Sequence, residues 1–358
     1  MNDISNRKLD HIKIVLSADI EYNISTLFED VILIHNSLPE ISLEEIDTKT
    51  TLFGKVFDMP LLIDSMTGGI KIAEKINRNL AEAALEANIP LSCGSQRAAI
   101  ENPKLIKTYR VIREVSKDIF LIGNIGVQQL VKNPKEIADE VISMIEADAL
   151  AIHLNPLQEA TQFKGDLNFK NCYQAISEVV NSVDVPVIVK ETGAGISREV
   201  AMRLEKVGIS AINISGAGGT SWSAVEIERL KSLSENYQLE VAKVFRDWGI
   251  PTAASLLEVV STVKIPVIAS GGIRSGLDIA KSIVLGAQFT GIAKPFLLKA
   301  LMNRDEVIKY INILKDQLKI TMLLTGAKSI DQLRNVNYVI VGRLREWVLE
   351  RGIKVKRK

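Results

Sequence analysis

The sequence predicts an α/β fold: a closed (β/α)₈ TIM barrel with an N-terminal extension and a helical C-terminal part. From about residue 59 onward, short apolar runs alternate with amphipathic stretches, which is the pattern of repeated βα units. The runs are apolar almost throughout, as expected for strands buried on both faces, and polar or glycine-containing turns follow them. Eight runs with no dinucleotide fingerprint after the first favour the barrel over a doubly wound open sheet.

The strands and helices of the barrel can be assigned in chain order. The eight predicted strands are Pro60–Asp64, Leu91–Cys93, Phe120–Asn124, Leu150–Asn155, Val185–Lys190, Ala211–Ser215, Pro266–Ser270 and Phe289–Ala293. Apolar residues at helical spacing predict helices at Ala73–Ala87, Lys104–Val115, Lys135–Ile145, Arg198–Val207 and Leu277–Leu285. We expect a single domain over residues 1–358 with its barrel core at about 59–300. Residues 217–250 form an insertion after the sixth strand, and such insertions are commonly active-site lids.

Composition and charge exclude several classes of function. A chain of 358 residues with 47% hydrophobic and 24% charged positions is typical of a globular protein. The net charge of +1 indicates no broad surface for nucleic acid or an acidic membrane, and the basic end from Lys354 to Lys358 is expected to be a solvated tail. Cys93 and Cys172 are too few for a disulfide framework or a zinc cluster. With no signal peptide and no apolar run of membrane-spanning length, we expect a cytoplasmic protein.

Two glycine-containing loops follow the last two predicted strands. They are Ser270–Gly276 and Gly291–Pro295, and barrels commonly bind a phosphate group on the loops after strands seven and eight. Glycines let backbone N–H groups approach phosphate oxygens, and Arg274 or Lys294 can add positive charge. A plain tight turn is the alternative for each loop, but two such loops on adjacent strands favour phosphate binding.

Polar turns follow most of the other predicted strands. The turns Ser65–Gly69, Ser92–Arg97 and Gly123–Gly126 suit a flat polar heterocycle such as an isoalloxazine. Lys190 ends the fifth strand; it could pair with its neighbour or be solvated, but we favour a cation at the electron-rich edge of a flavin. The turn Ser215–Trp222 is a second anion cradle or a lid hinge, and its Trp222 stacks on a ligand or packs in the core.

The turn after the fourth strand, His153 to Glu159, collects an imidazole, two amides and a carboxylate. Glu159 is a hard oxygen ligand suited to Mg²⁺, and one carboxylate alone implies that a phosphorylated substrate supplies further ligands. Of the other two histidines, His11 follows a basic pair in the N-terminal extension, and His35 is expected to be structural.

Taken together, these segments resemble the type 2 isopentenyl-diphosphate isomerases, which are FMN-dependent barrels, over nearly the whole chain. The glycine loops are shared with many flavin and phosphate barrels, whereas the Arg-Lys and His start, the Ser-Gln-Arg turn and the His-Leu-Asn-Pro-x-Gln-Glu turn are more specific. The resemblance rests on Arg7-Lys8 with His11, Met66 to Gly69, Ser95-Gln96-Arg97, Asn124, His153 to Glu159, Lys190 to Gly193, Ser215 to Trp222, Gly271 to Arg274 and Ala293-Lys294.

The resemblance implies a role for each matching residue. FMN would be held by Ser65, Met66, Thr67, Gly68, Ser95, Asn124, Lys190, Ser215, Thr220, Gly271, Gly272, Ile273, Arg274, Ala293 and Lys294. A small-molecule diphosphate substrate would be held by Arg7, Lys8, His11, Ser95, Gln96, Arg97, Asn155 and Gln158, with His153 also helping to bind the diphosphate. Glu159 would bind Mg²⁺, and Gln158, Glu159 and His153 would be the catalytic residues beside the flavin N5.

The same resemblance implies a reaction in which isopentenyl and dimethylallyl diphosphate interconvert, with N5 of the reduced FMN as acid and base. NADPH or NADH would reduce the flavin, and a homo-oligomer, a tetramer or octamer, is implied as well. One alternative is an FMN-dependent 2-hydroxyacid oxidase, which needs a catalytic histidine with an arginine pair. An inosine-monophosphate-dehydrogenase-like barrel would need a cysteine after strand six, and residues 216–223 contain none. A non-catalytic flavin or phosphate binder is the third alternative.

Overall fold

The computed structural model describes residues 3–355, with side chains from residue 6 onward. The last three residues of the predicted basic tail therefore lie outside the described residues. The N-terminal extension begins with helix α1 and contains one single strand and one hairpin. Its elements are α1 (Asp3–Ser17), a 3₁₀ turn at Phe28–Asp30, β1 (Val31–Leu33), a 3₁₀ turn at Leu43–Glu45, β2 (Thr50–Leu52) and β3 (Lys55–Phe57).

Eight parallel strands close into a barrel, as the sequence predicts. The strands are β4 (Leu61–Ile63), β5 (Leu91–Ser92), β6 (Leu121–Gly126), β7 (Ala149–Leu154), β8 (Val187–Glu191), β9 (Ala211–Asn213), β10 (Val267–Ser270) and β11 (Phe289–Ile292). Each predicted strand is confirmed to within two residues at either end. Their order around the barrel is β10, β11, β4, β5, β6, β7, β8, β9, and the ring closes through the pairing of β11 with β4 and of β9 with β10.

Helices surround the barrel and cover the outer faces of the strands. None of the helices in residues 3–355 is long and apolar enough to cross a membrane. They are α2 (Lys71–Glu86), α3 (Arg97–Glu101), α4 (Lys107–Val115), α5 (Val127–Leu130), α6 (Pro134–Ile145), α7 (Pro156–Thr161), α8 (Cys172–Val180), α9 (Arg198–Lys206), α10 (Trp222–Leu233), α11 (Asn236–Lys243), α12 (Thr252–Val260), α13 (Gly276–Val284), α14 (Lys294–Met302), α15 (Arg304–Thr325), α16 (Ile330–Leu333) and α17 (Gly342–Glu350).

Two helix predictions need correction. The predicted helix Lys104–Val115 is divided into a 3₁₀ turn, Pro103–Leu105, and α4, because Pro103 starts a separate turn that Asn102 caps. The C-terminal part is not helical throughout, since β12 (Tyr338–Ile340) pairs antiparallel with β1. This pairing joins two segments from opposite ends of the chain, so neither segment shows it by its own pattern.

The β2–β3 hairpin covers the amino-terminal end of the barrel. Phe57 on this hairpin is 3% exposed. Its ring meets Phe120 edge-on at 5.8 Å and Phe289 at 5.7 Å between ring centroids, at the starts of β6 and β11. Aromatic side chains therefore fill this end of the barrel. The polar turns follow the strands, so they lie together at the opposite, carboxyl-terminal end.

We predict that Phe57→Ala lowers the free energy of unfolding by about 3–5 kcal/mol, because it opens a cavity beside the Phe120 and Phe289 rings. Val56→Ala on the same hairpin is the matched control, since Val56 is 57% exposed. Surface substitutions of that kind change stability by about 0.5 kcal/mol or less. Urea unfolding of the two variants beside the parent chain measures both; equal losses would mean that the hairpin does not seal the barrel.

Candidate functional site

A cavity lies at the carboxyl ends of the barrel strands, with helix α1 over it. Nearly all of the residues to which the sequence assigns a binding or catalytic role line this cavity, including those from the first and last parts of the chain. They are Arg7, Lys8, His11, Ser65, Met66, Thr67, Ser95, Arg97, Asn124, His153, Asn155, Gln158, Glu159, Lys190, Ser215, Thr220, Gly271, Gly272, Ile273, Arg274, Ala293 and Lys294. Gly68 and Gln96 are the predicted site residues outside the lining.

A chain of short hydrogen bonds crosses the cavity floor from β5 to β7. The Ser65 and Ser92 hydroxyls are 2.6 Å apart, and Asn124 Nδ2 donates to Ser65 Oγ at 2.6 Å. On its other side, Asn124 Oδ1 lies 2.8 Å from His153 Nδ1. Because an amide oxygen only accepts, the His153 ring carries its proton on Nδ1. The floor is therefore preorganised, with each polar group held by its neighbour.

The electrostatic surroundings of His153 keep its imidazole neutral. Burial lowers the pKa of His153 from 6.5 to about 3, and the nearby Lys190, Lys8 and Arg97 add to this effect. Since three cations surround the ring, adding a fourth positive charge is unfavourable. His153 can therefore act as a neutral hydrogen-bonding group in this cavity, not as an imidazolium.

Lys190 places a buried ammonium at the cavity floor. Its Nζ donates to the backbone oxygen of Glu191 at 2.8 Å and lies 3.9 Å from Asp64 Oδ2. The Glu191 carboxylate accepts from the N–H groups of Gly193 and Ala194 in the following loop. Burial raises the pKa of Glu191 to about 7, against the effect of these hydrogen bonds. Lys190 thus has donor capacity left for a ligand above it.

Glu159 is held rigidly in the first turn of α7. Its Oε1 accepts from Asn155 Nδ2 at 3.0 Å, and its Oε2 accepts from the backbone N–H of Asp166 at 2.8 Å and from Gln162. No cluster of three or more His, Cys, Asp or Glu occurs in the part of the chain that the structure describes. A metal ion at Glu159 would therefore depend on one carboxylate, neighbouring amide oxygens and a ligand.

The two phosphate-type loops lie side by side at the cavity. Gly271 and Gly272 have φ values of +98° and +71°, a region that favours glycine, and a Cβ on Gly271 would lie 2.1 Å from the Gly216 oxygen. Within residues 3–355, the backbone N–H groups of Gly272 and Ile273 donate to no protein acceptor. These N–H groups are suited to an anion.

One carboxylate from the N-terminal extension pairs with both cations of these loops. Glu21 Oε2 accepts from Arg274 Nη2 at 2.8 Å, and Glu21 Oε1 accepts from Lys294 Nζ at 2.6 Å. Its backbone bridges to Thr220 in the loop after β9. Glu21 therefore joins three loops at the rim of the cavity.

Lys8 anchors helix α1 to the barrel. Its Nζ donates to the backbone oxygens of Gly68 and Ser95 at 2.9 and 2.8 Å and to the Tyr109 hydroxyl at 2.8 Å. Burial lowers the pKa of Lys8 to about 7. A Cβ on Gly68 would fall 1.9 Å from the Tyr109 ring, so glycine is needed there. These three acceptors make Lys8 an anchor of α1, and because Lys8 also lines the cavity, its contact with substrate stays a prediction.

Helices α1 and α10 meet through buried polar groups above Gln158. Glu226 is fully buried, and its Oε1 lies 2.9 Å from His11 Nε2 and 3.3 Å from Gln158 Nε2. Its Oε2 and the nearby Arg229 Nε have no hydrogen-bond partner among the described residues. Trp222 lines the cavity and also meets the His11 ring edge-on at 5.3 Å, so both of its predicted roles remain compatible with its position.

The Gln96 side chain is buried beneath the cavity. It is 0% exposed, its Nε2 donates to the Val141 oxygen at 2.8 Å, and its Oε1 accepts from the Asn124 N–H at 2.9 Å. The side chain therefore points between β6 and α6, because its amide satisfies backbone groups there. Gln96 lies outside the cavity lining, and its predicted contact with substrate stays a prediction.

Several site residues are missed by sequence reasoning. Glu226 lies 215 positions from its partner His11. Glu21 lies 273 positions from its partner Lys294, so no local spacing indicates either carboxylate. Asp64 could have been found, since it is the last polar residue of a predicted strand. His35, expected to be structural, is exposed and lies outside this cavity.

The chain is similar to a known protein family and to named proteins of other organisms. The FMN-dependent dehydrogenase family matches residues 120–339. An isopentenyl-diphosphate delta-isomerase of Methanothermobacter thermautotrophicus is 48% identical over 99% of this chain and 98% of its own length. The protein of the same name from Pyrococcus abyssi is 49% identical over 96% of this chain and 95% of its own length.

Solved structures share the fold at much lower identity. A lactate oxidase from Pediococcus acidilactici superposes with a TM-score of 0.66 at 15% identity, covering 96% of this chain and 95% of the oxidase. A mandelate oxidase mutant with (S)-mandelic acid gives 0.65 at 18% identity, covering 95% of this chain and 98% of the mutant. At this identity the likeness concerns the barrel alone.

The neutral His153 makes a testable contribution to stability. Its folded pKa of about 3 lies below the ordinary value of 6.5, so the unfolded chain binds its proton first as pH falls. This contribution is present above pH 6.5 and is lost as pH falls toward about 3. We expect the free energy of unfolding to fall less steeply over this range in His153→Asn than in the parent chain, measured by urea unfolding. Equal slopes would contradict the assigned state.

Proposed function

Because the chain belongs to the isopentenyl-diphosphate delta-isomerase family, we propose that it interconverts isopentenyl and dimethylallyl diphosphate, using reduced FMN bound in the cavity. The observation that carries the proposal is that phosphate-type loops, the Lys190 ammonium and the Asn155–Glu159 turn all line one cavity under α1. These groups suit a phosphorylated cofactor at one side and a diphosphate at the other. The chain itself would hold both ligands and exclude water.

The cavity residues fit FMN in three respects: phosphate binding, charge and hydrogen bonding. The N–H groups of Gly272 and Ile273, without a protein acceptor in the described chain, and the loop at Ala293-Lys294 suit a phosphate group. Lys190, with one of its three donors bonded to Glu191 and with Asp64 3.9 Å away, suits the electron-rich edge of the ring system. Thr67, Ser95 and Asn124 add hydrogen-bonding groups along the floor. Further predicted FMN contacts that line the same cavity are Ser65, Met66, Ser215 and Thr220.

The substrate diphosphate would bind between α1 and the turn after β7. Arg7, Arg97, His11 and Asn155 supply donors on this side of the cavity, and Arg7 Nη1 lies 3.4 Å from Gln162 Oε1. Glu159 would hold Mg²⁺ against the diphosphate, as a hard oxygen ligand. Lys8 donates to three acceptors of the barrel and would fix α1, and with it Arg7 and His11, over the substrate; it is also a further predicted substrate contact.

The reaction moves a double bond by adding a proton to one carbon and removing a proton from another. When bound, reduced FMN would supply acid and base chemistry at N5. Gln158, held by Asn155 at 3.4 Å and Glu226 at 3.3 Å, would orient the alkene beside it. The partly buried Trp222 and helix α1 would exclude water from the positive charge that develops on carbon. Because His153 is neutral, it would not add a further positive charge beside the cationic carbon of the substrate.

The proposal has further parts that follow from the family resemblance. NADPH or NADH would reduce the flavin before the first turnover. The protein would work in the cytoplasm as a homo-oligomer of four or eight chains, each chain forming one domain. A 2-hydroxyacid oxidase on the same barrel is the main competitor, because the solved structures with this fold include a lactate oxidase.

The test is anaerobic incubation of the protein with FMN, NADPH, Mg²⁺ and isopentenyl diphosphate in D₂O. We expect dimethylallyl diphosphate that carries deuterium, and only when the flavin is reduced, because the added proton comes from exchangeable groups. Mass spectrometry reads the product. Flavin binding without formation of dimethylallyl diphosphate would exclude the proposed reaction.

Glu159→Gln tests the metal site. We expect the Mg²⁺ concentration for half-maximal activity to rise at least about tenfold, a loss of roughly 1.4 kcal/mol in metal binding, because an amide replaces the charged ligand. Glu140→Gln, on the exposed face of α6, is the matched control and should leave the Mg²⁺ requirement unchanged. An unchanged requirement in Glu159→Gln would place the metal elsewhere.

A further inference from the structure

Asp64 is a buried carboxylate at the cavity floor to which no role has been assigned above. It follows β4 directly, its side chain is 4% exposed, and it lines the cavity. A charged group in such a position is costly unless it is paired and hydrogen-bonded. Its surroundings therefore indicate what it does.

Two hydrogen bonds fix the position of this carboxylate. The backbone N–H of Ser65 donates to Asp64 Oδ1 at 2.7 Å, and Asn213 Nδ2 donates to Asp64 Oδ2 at 3.0 Å. The Ser270 hydroxyl donates to Asn213 Oδ1 at 2.6 Å, so the amide of Asn213 must present its NH₂ group to Asp64. A Cβ on Gly291 would lie 3.1 Å from Asp64 Oδ2. The two hydrogen bonds therefore hold the carboxylate in place, and the lack of a side chain at Gly291 leaves space for it.

The charged partner of Asp64 is Lys190. Their closest atoms are 3.9 Å apart, and the side chains are 8% and 4% exposed. Lys190 and Asn213 are register partners on β8 and β9, so the same network also borders the ammonium. Glu191 points instead to the N–H groups of its own loop, and His153 is neutral. Asp64 is thus the carboxylate within ion-pair distance of Lys190, whereas Glu191 interacts with the ammonium from farther away.

We propose that Asp64 is a positioning residue for the cofactor: it holds Lys190 at the cavity floor and offsets its charge, which limits how strongly the floor stabilises a negatively charged reduced flavin. This inference rests on the proposed function, in which Lys190 faces the electron-rich edge of FMN. The reaction needs a reduced flavin that both gives and takes a proton. If no negative charge opposed the Lys190 ammonium, the floor would stabilise the anionic form of the reduced flavin. The reduced flavin would then be a weaker base.

The test is the midpoint potential of bound FMN, measured anaerobically by spectroscopic titration against a dye of known potential. Asp64→Asn removes the negative charge, so the reduced flavin is favoured and the potential should shift to more positive values. We expect about 30 mV or more, which is tenfold in the equilibrium of a two-electron couple. Lys190→Met should shift the potential in the opposite direction. Asp139→Asn, on the exposed face of α6, is the matched control and should leave the potential unchanged.

A second comparison covers the case in which Asp64→Asn does not fold. The double variant Asp64→Asn with Lys190→Met leaves a neutral pair, and its potential should be more positive than that of Lys190→Met alone. If the parent chain does not bind FMN, the proposed function itself fails. The two comparisons are Asp64→Asn with the parent chain and the double variant with Lys190→Met. If all of these proteins bind FMN and neither comparison shows a more positive potential, the inference about Asp64 is overturned.

Discussion

The closure of eight parallel strands is the constraint on which the rest of the structure depends. Because every strand runs in the same direction, every turn that follows a strand reaches the same end of the barrel. Asp64 and Asn213 therefore form a hydrogen bond although 149 positions separate them. The β2–β3 hairpin fills the other end with aromatic side chains. One end is thus dry and structural, and the other collects polar groups for chemistry.

Opposed charges are the second common feature of the site. Lys190 faces Asp64, whereas Arg274 and Lys294 share Glu21. Such pairing keeps cations in place for an anionic ligand without leaving a bare positive charge in a partly buried cavity. It also makes the cavity rigid before any ligand arrives, which lowers the cost of organising a reaction. The chemistry that the site can support is therefore set by these pairs as much as by the residues that touch ligand.

Local sequence patterns were sufficient to predict the strands and the polar turns, because apolar runs and the glycine loops are each contained within a few residues. They were insufficient wherever a partner lies far along the chain. Glu21 and the β1–β12 pair illustrate this, since each depends on a contact between the N-terminal extension and the C-terminal half. Gln96 shows a different limit: it lies within a motif turn, but tertiary packing decides that its side chain points away from the cavity.

In the proposed function, one cavity holds FMN and a diphosphate substrate side by side. A crystal structure of the reduced protein with FMN, Mg²⁺ and isopentenyl diphosphate tests this arrangement most directly. We expect the FMN phosphate at Gly271–Arg274 and Ala293-Lys294, the ring over Lys190, and the diphosphate with its Mg²⁺ at Glu159 below α1. A diphosphate on the glycine loops, or FMN outside the barrel mouth, would contradict it.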